Sequence, residues 1–143
     1  MSFFGEKVFS ASLDVLDEIR AYVSEAAAHT SLEKKKIYKL QLSVDEIATN
    51  IISYAYQDRE QQVGKIYIDA ELQKHALIIQ VRDQGVPFDP RSKLKKGQET
   101  VSLSVEERAI GGLGIYLAIT GVDKYEYEYL NGFNVNRFEV SLG

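Results

Sequence analysis

Two pairs of alternating segments, each closed by a short turn, limit what this chain can fold into more than any other feature. Gly64-Lys65-Ile66-Tyr67-Ile68-Asp69-Ala70 alternates with period two, the pattern of a strand with one buried face. Gln73-Lys74-His75 reads as a turn, and Ala76-Leu77-Ile78-Ile79-Gln80-Val81 returns as a denser apolar run that suits a central strand. Two more strands are expected near Lys124–Leu130 and Val135–Leu142, joined by Asn131-Gly132, a dipeptide that favours tight hairpin turns. Strands that arrive in hairpin pairs predict a mixed, mostly antiparallel sheet.

Helical spacing occupies the first third of the chain. Lys7-Val8-Phe9-Ser10-Ala11 reads as a short strand, and Ser12 then caps a helix over residues 13–28 whose apolar positions are Leu13, Leu16, Ile19, Ala21 and Val23. A second helix starts near Ser31, carries Ile37, Leu40, Val44, Ile47, Ala48, Ile51 and Ile52 on one side, and ends around Tyr54 to Gln57. The run Lys34-Lys35-Lys36 is most simply a solvated face of it. From Asp83 to about Ile110 the chain is rich in Lys, Glu and Ser and contains Pro87, Pro90 and Gly97. A loop of that length in a small domain is usually functional or mobile; a short helix over 105–108 is expected inside it. Gly111-Gly112-Leu113-Gly114 then enters a helix at Ile115–Ile119. The order β-α-α-β-β-loop-α-β-β predicts an α+β two-layer sandwich with the helices on one face of the sheet.

Bulk properties remove several classes of function. A chain of 143 residues fits one domain, 1–143. Its 21 acidic and 17 basic side chains give a net charge of -4, which argues against nucleic acid as a direct partner. There is no cysteine, so disulfides, thiol nucleophiles and Cys-ligated zinc are excluded. His29 and His75 lie far apart and make a poor zinc site by themselves. No apolar run approaches the ~20 residues of a spanning helix, and Met1–Lys7 lacks the pattern of a signal peptide. The expected setting is cytoplasmic, without a membrane partner.

Three segments carry possible chemistry. In Asp45-Glu46-Ile47-Ala48-Thr49-Asn50, Glu46 and Asn50 are four apart and share a helix face. A carboxylate can take a proton from an attacking hydroxyl, and an amide oxygen is a hard ligand suited to Mg²⁺. Alone, such a pair is as readily a polar helix face. Asp83-Gln84-Gly85-Val86-Pro87-Phe88-Asp89 follows a buried strand, where Asp83 can accept a hydrogen bond from an amino group and Gly85 lets backbone come close; an ordinary Gly/Pro/Asp turn is the alternative. Gly112-Leu113-Gly114 at a helix start offers free N–H groups to phosphate, though a glycine cluster alone is weak and no P-loop Lys follows.

Taken together, in this order, the three segments resemble the GHKL (Bergerat-type) ATP-binding family. Asp45–Asn50 matches its N box, Asp83-x-Gly85 its first glycine box and Gly112-x-Gly114 its second, and an ATP lid falls at about 91–110. Leu42–Ile52 and the run Asp83-Gln84-Gly85-Val86-Pro87-Phe88-Asp89-Pro90 are most similar to the anti-sigma factor serine/threonine kinase group of that family. A histidine kinase would need a phospho-acceptor histidine on a further helical hairpin, for which this length leaves no room.

The resemblance implies ATP and Mg²⁺ as ligands. It implies Glu46 as general base, Asn50 as the Mg²⁺ ligand, and Asp83 as the reader of adenine with Gly85 beneath it. Pro87, Gly112, Leu113, Gly114 and Asn134 join the nucleotide site. It further implies a STAS-domain anti-anti-sigma protein as substrate, a sigma factor as sequestered partner, partner contacts mainly from the first helix, and a homodimer. The chain departs from the pattern twice. Tyr54 stands where many relatives have a histidine, and Asn134 stands near the family's Gly-Thr pair, where it would bond a phosphate or a neighbouring loop. Lys93, Lys95 and Lys96 would neutralise phosphate or simply be solvated. A catalytically weak, ATP-gated protein-binding module is the alternative function, and an adaptor with a decayed site the third.

Overall fold

The computed structural model describes residues 2–56, 64–93 and 113–143. Hairpin pairing sets its sheet. Strand β1 (Ser2–Ser10) pairs with β2 (Lys65–Leu72), β2 with β3 (Ala76–Asp83), and β4 (Lys124–Leu130) with β5 (Phe133–Ser141). β5 also lies against β3, so the order across the sheet is β1-β2-β3-β5-β4. Every adjacent pair among the described residues is antiparallel, and the parallel component expected of a mixed sheet is not found among them. The reason is topological. The crossover from β3 to β4 skips one strand position, and β5 returns by a hairpin to fill it, so β3 and β4 run in the same direction without touching.

Among the described residues the α-helices are α1 (Leu16–Ala28), α2 (Lys34–Asn50) and α3 (Leu113–Thr120), with α2 packed against both of the others. On the sheet, alternate residues face them: Ile66, Ile68 and Ala70 of β2, Leu77, Ile79 and Val81 of β3, and Phe138 and Val140 of β5 are buried. They meet Ile19 and Val23 of α1 and Leu40, Val44, Ile47 and Ala48 of α2 in one apolar cluster. The dense apolar run of β3 is explained by its place third of five, where neighbours on both edges limit its exposure.

Local signals act where they are expected. The Ser12 hydroxyl oxygen accepts the Asp14 N–H at 3.2 Å, and a 3₁₀ turn at Leu13–Val15 leads into α1. Asn131 (φ 53°) and Gly132 (φ 84°) are both left-handed, as a tight type I′ hairpin turn requires. β1 is longer than the segment read from alternation, because a register shift between Phe4 and Lys7 breaks the period while pairing to β2 continues. α2 does not simply end: Ile51–Ala55 continues it as a π-helical turn. The expected helix at 105–108 and the lid, except for a 3₁₀ turn at Pro90–Lys93, lie outside the described residues. Among the described residues no helix is long and apolar enough to cross a membrane.

Candidate functional site

Asp83 is the last residue of β3 and points to the helical side of the sheet, where it is 1% exposed. A carboxylate placed there must be satisfied by hydrogen bonds. Its Oδ1 accepts the Gly85 N–H at 2.9 Å and the Asn134 amide N–H at 3.0 Å. Among the described residues Oδ2 accepts no bond and remains available to a ligand. Burial pushes the Asp83 carboxyl above the ordinary aspartate range, and the bonds from Asn134 and Gly85 pull it partly back.

The loop after Asp83 is tied down along its whole backbone. Gln84 N–H donates to the Tyr56 hydroxyl at 2.8 Å, and that hydroxyl donates to Lys65 O at 2.6 Å. Val86 N–H donates to Ala55 O at 3.1 Å. Phe88 N–H donates to Asn134 Oδ1 at 3.0 Å, while Asn134 Nδ2 also donates to Val86 O at 3.0 Å. The loop therefore hangs between the π-helical turn after α2 and the first residues of β5. A π turn puts Ala55 O within reach of the loop, and such turns recur at functional sites.

Between these elements lies a cavity of about 160 Å³. Ile47, Asn50, Ile51 and Tyr54 line it from the helical side, Val86, Pro87 and Phe88 from the loop, and Asp83, Asn134 and Asn136 from the sheet. Whole ligand sites usually enclose roughly 300–1,000 Å³. This one suits a single flat ring system, held by apolar walls and a few polar groups, with the rest of a ligand outside.

Glu46 does not line this cavity. It lies one turn before Asn50, roughly 6 Å along the helix axis, and faces the start of α3. A Cβ built on Gly114 would fall within the contact radius of Glu46 Oε1. Burial first, and then the neighbouring Asp45 charge, raise the Glu46 carboxyl above its usual range. A raised carboxyl holds a proton more readily, as a general base needs. Asp45 itself turns to α1, accepting from Arg20 Nε at 3.2 Å and from a terminal guanidinium nitrogen at 3.1 Å.

The residues singled out from sequence thus occupy one region in an uneven way. Asn50, Asp83, Pro87 and Asn134 line the cavity, whereas Glu46 and Gly114 do not line it and lie against each other. Gly85 is required for a close approach to Ala55 O of the π turn, and it does not line the cavity. Leu113 is the first residue of α3, and Gly112, Lys95 and Lys96 lie outside the described residues. Asn134 bonds the neighbouring loop, one of the two partners expected for it. Tyr54 is 53% exposed at the cavity mouth. Sequence reasoning missed Tyr56, Tyr127 and Asn136. The alternation of β5 did carry a signal, since Asn134 and Asn136 sit at inward positions where that period calls for apolar side chains.

Comparison with known proteins agrees with this architecture. The serine-protein kinase RsbW of Bacillus pumilus is 30% identical over 118 residues, which is 82% of this chain and 73% of that protein. RsbW of Bacillus cereus is 30% identical over 131 residues, 91% of this chain and 80% of that protein. The crystal structure of the RsbU and RsbW domains of a Mycobacterium tuberculosis protein superposes with a TM-score of 0.63 at 15% identity. It covers 97% of this chain, which spans only 33% of that larger one, and it shows a shared fold. A model of the histidine kinase-like ATPase domain matches residues 9–138. With that match across nearly the whole length, and curated relatives at 30% identity, the chain belongs to the histidine kinase-like ATPase domain family.

Proposed function

We propose that this protein is an ATP-dependent serine/threonine kinase that acts as an anti-sigma factor. The observation that carries the reading is the buried Asp83, with one carboxylate oxygen left for a ligand, in an apolar cavity whose opposite wall holds Asn50 one helical turn from Glu46. Asp83 Oδ2 would accept from the adenine amino group, between the apolar walls supplied by Ile47, Val86 and Phe88. Asn50 would hold Mg²⁺ through its amide oxygen. Among the described residues no group of three or more His, Asp or Glu side chains forms a metal cage. That suits Mg²⁺, which usually takes one or two protein ligands and keeps phosphate and water oxygens for the rest. Mg²⁺-ATP supplies the phosphoryl group, and the protein's contribution is positioning and charge. Glu46, with its raised carboxyl, would accept the proton of a serine hydroxyl on the substrate protein. Gly112 and Gly114 would bring the start of α3 to the phosphates.

The relatives named serine-protein kinase support transfer to serine. The proposed substrate is a STAS-domain antagonist and the sequestered partner a sigma factor, with the kinase acting as a homodimer in the cytoplasm. The test is incubation with Mg²⁺ and γ-labelled ATP together with the STAS-domain proteins of the same genome. Label should appear on a serine of one of them and vanish with Glu46→Ala, which should still bind ATP. If ATP binds tightly but no STAS protein is labelled, the ATP-gated binding module is the better reading. Transfer that survives Glu46→Ala would remove Glu46 as the base.

A further inference from the structure

Two tyrosine–asparagine pairs run diagonally between β4 and β5, and their asparagines are used differently. The Tyr127 hydroxyl donates to Asn134 Oδ1, and the Tyr125 hydroxyl donates to Asn136 Oδ1. Both asparagines are buried, at 3% and 2% exposure, and both line the cavity. Asn134 spends its amide N–H groups on the protein, donating to Asp83 Oδ1 at 3.0 Å and to Val86 O at 3.0 Å. The corresponding N–H groups of Asn136 have no acceptor among the described residues. Burial keeps the Tyr125 hydroxyl strongly protonated, so it remains a donor and holds the Asn136 oxygen. That leaves Nδ2 for whatever fills the cavity. Because Asn136 lines the cavity, a ligand there is within the surroundings of that amide and can supply the acceptor.

Asn136 is not alone at that wall. Asp83 pairs with Asn134 in the ladder and Val81 with Asn136, so Asp83 and Asn136 are diagonal neighbours on the same face of adjacent strands. One presents a free acceptor, Oδ2, and the other a free donor, Nδ2. Resting on the reading that the cavity takes ATP, we infer that Asn136 is a specificity-determining residue that donates a hydrogen bond to ring nitrogen N1 of the adenine whose 6-amino group Asp83 accepts. The pair then reads both positions of the amino–ring-nitrogen edge. Guanine reverses both, placing O6 against a carboxylate and N1–H against an N–H donor. Two reversed contacts in a desolvated site discriminate far more strongly than a change of shape, because each leaves a buried polar group unpaired.

The experiment is calorimetric titration of the protein, with Mg²⁺, by ATP, 1-deaza-ATP, 7-deaza-ATP and GTP, repeated with Asn136→Leu. For the unmodified protein, 1-deaza-ATP should bind about tenfold more weakly than ATP, 7-deaza-ATP within about threefold of ATP, and GTP more than about a hundredfold more weakly. Asn136→Leu should weaken ATP about tenfold and no longer distinguish it from 1-deaza-ATP. Equal binding of ATP and 1-deaza-ATP by the unmodified protein overturns the inference, whether or not the variant folds. So does a variant that still prefers ATP, or a loss on 7-deaza-ATP in place of 1-deaza-ATP. In each of those cases the ATP site itself stands. Failure of the folded, unmodified protein to bind ATP at all overturns the ATP reading and this inference with it.

Discussion

At the scale of single residues, Asp83 and Asn134 form the hinge between stability and binding. Asp83 is buried with its carboxyl raised, so the folded chain holds its proton to higher pH than the unfolded chain does. The sign follows directly. Between the ordinary aspartate range and the raised folded value the folded state binds more protons, so stability falls as pH rises through that window. Ionised Asp83 therefore costs stability at neutral pH in the absence of ligand. Asp83→Asn keeps an oxygen for the Gly85 and Asn134 donors and removes the charge. Its thermal midpoint at neutral pH should be a few degrees above that of the unmodified protein, with the gap closing on acidification. ATP affinity, measured by calorimetry, should fall at least about a hundredfold, because an amide N–H would then face the adenine amino group. A lower midpoint at neutral pH would show that the carboxylate is better compensated than its surroundings suggest. Asn134→Ala acts in the opposite sense. It removes the Asn134 bonds to Asp83 Oδ1, Phe88 N–H and Val86 O together, and should cost about 2–4 kcal/mol in urea unfolding.

Elements meet at two glycines whose neighbours differ in kind. A Cβ on Gly85 would strike backbone, the Ala55 carbonyl, which is fixed by its bond from Val86 N–H. A Cβ on Gly114 would strike the flexible end of Glu46. Gly85→Ala should thus destabilise the fold by about 1–3 kcal/mol, the usual range for overpacking. Gly114→Ala should fold as well as the unmodified protein, since alanine favours the helix by about 0.5–1 kcal/mol. Its defect should lie in the displaced carboxylate: ATP affinity within about threefold, and phosphotransfer to the substrate protein reduced at least about tenfold, or about 1.4 kcal/mol of barrier. Equal losses in both measurements would separate Glu46 from the transfer step. The element scale also shows what was legible in the sequence. The hairpins could be read because Asn131-Gly132 and the alternation of β2 are local signals, and α1 because its apolar stripe and Ser12 are local too. The long β1, the π turn and the loop's anchors could not, because each depends on partners far along the chain. Tyr56 meets Gln84 and Asn134 meets Asp83, contacts that no periodicity encodes. Asp83 could be placed at a strand end from its motif, but which of its oxygens stays available depends on Asn134, 51 residues away.

For the molecule as a whole, the order β1-β2-β3-β5-β4 brings distant segments to one end of the sheet. Asp83 closes β3, Asn134 opens β5, and the end of α2 sits above both. The site therefore exists only when the central pair β3–β5 has formed, and its two facing residues, Asp83 and Asn134, lie 51 residues apart in the chain. Native-state binding in such an arrangement is linked to global stability, because the unfolded chain holds none of the site together. Mg²⁺-ATP at a hundred times its Kd should add about 2.7 kcal/mol to unfolding, or roughly 5–10 °C to the thermal midpoint of a chain this size. The shift should grow with the logarithm of ATP concentration. Asp83→Asn, with its higher midpoint in the absence of ligand, should show almost no shift. If ATP raises both midpoints equally, the nucleotide is binding outside the cavity, and the end of the sheet marked by Asp83 is not its site. If it raises only the unmodified protein's, the coupling between the strand order and the ligand is established by one heating experiment on two proteins.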